Sequence, residues 1–532
     1  MNEFLTSIGY MHWVLPMLLL VPTLGAAAIW LHGAPGGPPG DDDVASGTAG
    51  APRLIALVTL AAEFVVSLGL WWAYDPAVAG WQAAFNVPWI PSWGIRFSLG
   101  IDGISLMMIL LTTSIMVLAV LGGWTSIRRR THAYYALLLI LTAGMLGVFM
   151  SLDLFLFYVM WEVMLVPMYF IVGVWGGDRR LYASIKFFLY TMVGSLLMLV
   201  AIVYLGLAAR SRLTGIPDFS YDAILATARV SHTAAFWLFG AFFLAFAVKV
   251  PMFPFHTWLP DAHVEAPTPG SVVLASIMLK LGTFGFIRLA VPLFPAVATN
   301  ATVRAIVLTL AVIGIVYGAL VSLVQPDFKK LVAYSSVSHL GFVMLGIFAL
   351  TVQSVQGALM VMINHGISTG ALFFLIGMIY ERRHTRLIED YGGIARVVPM
   401  FAAALTVVTF SSIGVPGTNG FIGEFLVLIG AFRTYPVYAL IAATAVIFSA
   451  AYLLWAIQRI LFNALDKKAN FHIPDLNRRE LALLIPLLAG IVWLGVYPEP
   501  VLRRMEPSAE RFVQSVQTRA IAQNQAPAGG IE

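Results

Sequence analysis

The chain contains no cysteine. Its own residues therefore cannot form disulfides, ligate iron–sulfur clusters or hold a metal through thiolates. Charge is also scarce. Only 11% of the 532 residues are Asp, Glu, Lys or Arg, against about 25% in soluble domains. A net charge of +5, spread over many loops, is no nucleic-acid footprint. No phosphate loop, dinucleotide fingerprint or hydrolase elbow occurs in a fitting context, and no HExxH spacing is present. No basic stretch precedes the first apolar run, so it reads as a spanning helix, not a cleaved leader. What remains is apolar: 60% of the residues are hydrophobic.

A hydrocarbon core of ~30 Å takes about 20 helical residues to cross. About fourteen runs of that length lie near 10–31, 53–73, 101–123, 132–150, 153–175, 182–208, 234–258, 270–290, 302–323, 329–350, 354–380, 398–432, 436–463 and 480–498. The sequence thus predicts an all-α polytopic membrane protein. Residues 32–52 read as a flexible polar loop, 75–100 (rich in Trp and Pro) as an interfacial segment, and the tail from Pro507 as poorly ordered. Loops after odd-numbered spans carry sixteen Lys and Arg, against ten on the other side including the tail. The positive-inside rule then puts both termini on the outer, periplasmic side of a bacterial inner membrane.

Two spans are interrupted. Span seven reads FAVKVPMFPFHTWLP, and Pro251 and Pro254 remove donors from the helix ladder. Span twelve reads SSIGVPGTNGFIGEF, broken by Gly414, Pro416, Gly417 and Gly420. Breaks at matching places in two halves are a transporter signature. The ionisable residues match too. Glu162, Lys186 and Lys249 fall on spans five to seven at separations of 24 and 63; His339, His365 and Glu424 fall on spans ten to twelve at 26 and 59. An offset of five helices reverses topology, so spans 4–8 and 9–13 read as an inverted repeat. The predicted division is a three-helix region over 1–131, repeats over 132–290 and 302–463, a loop and final helix over 464–506, and a polar tail over 507–532.

Glu162, Lys249, Lys280 and Glu424 stand well inside apolar runs, where one charge costs roughly 2.5–3.5 kcal/mol on insertion scales. Each also has a plain structural reading: a neutral packing carboxyl for Glu162, a snorkelling amine for Lys249 or Lys280, a helix-end charge for Glu424. His339 and His365 fit either hydrogen-bonded packing or a proton path; Lys186 fits an interfacial anchor as well as a path. Burial opposes the charged form of acids and amines, and an opposite charge nearby restores it. An ion pair that forms and splits can therefore pass a proton on, and the order acid, base, base, acid with histidines between suits a lateral relay. The loop HTWLPDAHVEAPTPG offers His256, Asp261, His263 and Glu265, but a capped turn accounts for it better than a metal site.

The stretch KVPMFPFHTWLPDAHVEAPTPGSVVLASIMLKLG, residues 249–282, resembles the hallmark of the antiporter-like proton-pumping subunits of respiratory complex I. The resemblance extends over spans 4–13. It is shared with Mrp-type cation/proton antiporter subunits, which is the alternative reading. Within the family the second broken helix carries lysine in most members and glutamate in one branch, to which Glu424 points. The chain stops about 30 residues after span fourteen, unlike the largest sister with its long lateral helix. The resemblance implies that Glu162 and Lys249 form a coupling pair, Lys280 a central relay, and His339 and His365 the continuation towards Glu424. It further implies NADH, FMN, iron–sulfur clusters and quinone in partner subunits, no cofactor or metal in this chain, and sister antiporter-like subunits as neighbours in the bilayer. A purely structural membrane scaffold is the third reading.

Overall fold

The computed structural model describes residues 1–32, 43, 49–211 and 214–525. Most of the loop over 32–52 and the final residues of the tail lie outside these. After a short helical turn over Asn2–Ser7 come α1 (Tyr10–His32) and α2 (Gly50–Ala73). Strands β1 (Gln82–Ile90) and β2 (Ile95–Ile101) follow, then α3 (Gly103–Gly122), α4 (Thr131–Met150), α5 (Leu154–Trp175), α6 (Arg180–Ala208) and α7 (His232–Lys249). A short helix α8 (Trp258–Glu265) leads into α9 (Thr268–Leu293). The second half comprises α10 (Ala301–Leu323), α11 (Phe328–Ala349), α12 (Val352–Arg383), α13 (Pro399–Ile413), α14 (Asn419–Phe432) and α15 (Pro436–Phe462). The chain closes with α16 (Arg478–Val496) and α17 (Glu499–Gln525).

Among the described residues, thirteen helices are long and apolar enough to cross a bilayer. The fourteenth crossing is the pair α13–α14, each too short alone. Several starts are set by local chemistry. Asp102, Asp153, Asn300, Asp327 and Asn477 are N-caps whose side chains accept from first-turn amides of α3, α5, α10, α11 and α16. Burial then sorts the helices. α9, α11 and α12 are enclosed nearly all round, whereas α2, α6, α15 and α16 leave more than half their apolar stretch at the surface. The enclosed helices are the ones that carry Lys280, His339 and His365.

Three expectations are corrected. The segment 75–100, expected as an interfacial stretch, is for the most part an antiparallel hairpin pairing Gln82 with Ile101 and Ile90 with Ile95. Pro88 and Pro91 hid it, because proline is confined to strand edges and ends. Phe85 and Phe97 meet edge-to-face across it, and Arg96 donates to Asn86 at 2.7 Å. Span seven, expected to run to 258, ends at Lys249; the chain turns through the prolines before α8 begins. The tail from Pro507 is ordered as far as Gln525, since α17 runs through Pro507. The boundary drawn at 506/507 therefore cuts a helix. Its polar average masks an apolar stripe, with Val501, Met505, Ala509, Phe512, Val516 and Ala520 buried at spacings of three and four. Ser508 Oγ accepts from Gly103 N at 3.1 Å, which ties α17 to the start of α3.

Candidate functional site: a buried chain of titratable groups

The break in the second half is built by close backbone approach. Gly414 ends α13 at φ 83°, a left-handed conformation that costs other residues strain. A Cβ on Gly420 would lie 1.9 Å from the Ser411 carbonyl oxygen, so only glycine lets α14 start against the end of α13. Glu424 stands in the second turn of α14, near the positive end of its dipole. The first half mirrors this in sign. Lys249 lies in the last turn of α7, where a cation is favoured, and Trp258 Nε1 donates to the Val248 carbonyl at 2.9 Å.

α9 supplies the centre. Two π-helical turns, Leu274–Met278 and Phe286–Ala290, flank the turn that carries Lys280. Such wide turns displace carbonyls from the regular ladder and recur at functional positions. Lys280 Nζ donates to the Ala275 carbonyl, five residues back, and lies 2.7 Å from Nδ1 of His365. The His365 and His339 rings stand 5.8 Å apart, edge to face. His339 Nδ1 reaches Oε1 of Glu424 at 2.8 Å. Lys280, His365, His339 and Glu424 thus form one run across α9, α12, α11 and α14.

A polar space of ≈ 20 Å³ adjoins this run, lined by His339, Asn364, His365, Ser368, Ser411 and Glu424. That is enough for a water, which needs roughly 10–15 Å³ and two to four partners. Buried atoms without protein partners there include His365 Nε2, Asn364 Oδ1 and Asn419 Nδ2. Asn419 is held by Asn364 Nδ2, which donates to its carbonyl, and by Ser411 and Ser368, whose hydroxyls donate to its Oδ1. Unpaired polar atoms around a polar void are the usual setting of ordered water.

Among the described residues the first half holds no such run. Lys249 Nζ is buried with no hydrogen-bond partner, 5.6 Å from the Trp161 ring and 5.3 Å from the Phe187 ring. Glu162 faces it electrostatically from α5, with Ser195 beside the carboxyl, but no ion pair joins the two. Between Lys249 and Lys280 the helices touch backbone to backbone, where a Cβ on Gly282 would meet Phe246 O and Val250 N at 2.9 Å. Lys186 stands apart from the run and pairs with Asp261 of α8 at 2.7 Å.

Three residues near these groups, and one further off, escape the reading from sequence as members of the site. Asp261 is singled out there only as a possible ligand, and Ser195 and Asn419 are ordinary polar residues until the helices pack. Glu63, in the middle of α2, meets the criterion that singles out the other buried acids, and its position in the run was a usable signal. It is fully buried, and neither carboxyl oxygen has a hydrogen-bond partner.

Known proteins are similar to this chain to different degrees. Residues 151–450 match the family described as NADH:quinone oxidoreductase/Mrp antiporter, TM. NADH-quinone oxidoreductase subunit M of Rhodobacter capsulatus is 42% identical over 521 residues, 97% of this chain and 99% of that protein. A chain in the structure of respiratory complex I from Thermus thermophilus with bound NADH superposes with a TM-score of 0.83 at 33% identity, over 94% of this chain and 99% of that one. A chain of the Mrp complex from Dietzia sp. DQ12-45-1b gives 0.75 at 21% identity, over 97% of this chain but 58% of that one, a likeness of fold alone.

Proposed function

The chain belongs to the NADH:quinone oxidoreductase/Mrp antiporter membrane family, in its subunit M branch, and from that membership we propose that its buried residues carry protons across the membrane. The observation that carries this reading is the run from Lys280 Nζ to Glu424 Oε1. Proton transfer needs donor and acceptor within hydrogen-bond reach or bridged by one water. Lys280 hands a proton from Nζ to Nδ1 of His365. His365 releases one from Nε2 into the polar space shared with Asn364 and Ser368. His339 passes a proton from Nδ1 to the Glu424 carboxylate. Glu162 and Lys249 act as the control pair: bringing their charges together or apart changes the field on Lys280, which is buried in the neighbouring helix.

The two halves act as inverted repeats, over 132–290 and 302–463, around the broken elements α7 and α13–α14. NADH, FMN, iron–sulfur clusters and quinone belong to partner subunits of the same complex; this chain has no cysteine for cluster ligation. Its neighbours are the other membrane-arm subunits, including sister antiporter-like ones. The membrane is the bacterial inner membrane, with both termini outside.

The test uses the assembled complex in proteoliposomes. Glu162→Ala, Lys249→Ala and His365→Ala each remove most proton pumping and coupled NADH oxidation while assembly is kept. Normal coupled activity in these variants would overturn the proposal and favour a scaffold. Sodium-dependent proton flux without an electron donor would favour the stand-alone antiporter.

A further inference from the structure

A second cavity lies on the far side of α12 from the polar run. It measures ≈ 390 Å³ and is enclosed by α2, α3, α12 and α16 with the start of α17, within the size range of small-molecule sites. Its walls are apolar. The one hydroxyl among them, Ser114 Oγ, already donates to the Leu111 carbonyl at 2.9 Å. A cavity of this character does not hold water.

Its shape and mouth identify the occupant. Along α3 the walls run from Met107 to Leu118, about 16 Å at 1.5 Å per residue. That is the depth of one leaflet of a ~30 Å hydrocarbon core. The shallow end is ringed by Trp71, Trp72 and Trp493, with Trp72 and Trp493 more than 40% exposed, as aromatic side chains are at a bilayer surface. One cation stands there, with a second next to it in the chain. The Arg504 guanidinium lies 3.7 Å over the Trp71 ring and donates to the Trp71 and Pro500 carbonyls, so its position is fixed. Arg503 beside it is exposed.

We propose that this slot binds one anionic phospholipid, with an acyl chain between α2, α3 and α16 and the phosphate on Arg503 and Arg504. The cationic charge beside the mouth suits an anionic head group, whereas a neutral isoprenoid quinone would leave it unmatched. Arginine matches phosphate oxygens through its planar fork of donors.

The intact complex is purified in mild detergent with wild-type chain, with Leu68→Trp, which fills the slot, and with Arg503→Gln plus Arg504→Gln beside its mouth. Density maps and mass spectrometry of retained lipid are read for each. The wild type shows a rod of density in the slot ending at Arg504, and it retains acidic phospholipid. Leu68→Trp loses the rod and one phospholipid per complex. The double Gln variant loses the preference for acidic head groups, and this arm decides the matter if Leu68→Trp does not assemble. The proposal is overturned by a slot that is empty or filled by a neighbouring subunit. It is equally overturned by a quinone as the lost species, or by acidic and neutral lipids retained alike in wild type and double variant.

Discussion

Glu424 shows how much one side-chain contact decides. Its carboxyl is almost fully buried and accepts from His339 at 2.8 Å. Glu424→Gln keeps the volume and an acceptor oxygen but cannot titrate. Relay groups are typically worth 10²–10⁴-fold in proton transfer, so coupled pumping should fall by about tenfold or more with assembly unchanged, read as proton flux per NADH oxidised. Near-normal flux would contradict its role at the end of the run. Glu424→Lys sets an amine against the His339 imidazole in place of an acceptor but can still titrate, so a partial loss is expected. Lys249 is the opposite case, an amine between two aromatic faces with no acceptor in reach. Ring contacts of about 0.5–2 kcal/mol do not offset the burial of an unpaired ammonium, so its charge depends on Glu162. Glu162, Lys249, Lys280 and Glu424 were legible in the sequence because an ionisable residue in a long apolar run is visible without knowing its neighbours. Their partners were not legible. Lys280 and His365 are 85 residues apart, as are His339 and Glu424, and no local pattern encodes those contacts.

At the level of elements, the breaks set Lys249 at the end of α7 and Glu424 near the start of α14, while Lys280, His339 and His365 ride on continuous helices. Proline and glycine act within a few residues, which is why the interruptions at spans seven and twelve could be read directly. The exact chain geometry could not. Gly420→Ala forces a methyl into the Ser411 carbonyl, and overpacking of this kind costs about 1–3 kcal/mol; we expect the upper end, since the atom in the way is backbone. Gly417→Ala, with no neighbour within 4 Å but a φ of 89°, should cost only about 1 kcal/mol. Thermal inactivation of the assembled complex ranks the two, and equal midpoints would show that α14 can shift to accommodate the methyl. The π turns around Lys280 had no signal in the sequence, for their widening follows from how α9 packs against α7 and α12.

For the whole molecule, α17 closes the end of the bundle on which α3 starts. Arg504 bonds the end of α2, Ser508 the start of α3, and Arg519 the Leu225 carbonyl. A chain ending at residue 506 would lose the buried Phe512, Val513 and Val516, each worth about 1.5–3 kcal/mol when fully buried. It should yield less assembled complex, with a lower inactivation temperature by the same assay; full yield and stability would mean that α17 is dispensable. Composition alone made this helix look like a loose tail, because its charged face outweighs its apolar stripe in any average.

The sequence by itself determined that the chain crosses a membrane many times, where two crossings break, and that Glu162, Lys249, Lys280 and Glu424 stand within apolar runs. Each follows from transfer free energy or from backbone restriction acting over one or two helical turns. Only the tertiary structure decided that Lys280, His365, His339 and Glu424 form one run while Lys186 turns away to Asp261. It alone decided that a proline-bearing segment pairs as a hairpin, and that helices α2, α3 and α16 leave a slot one leaflet deep. Those outcomes depend on which helix faces pack together, a property of distant residues that no single stretch contains.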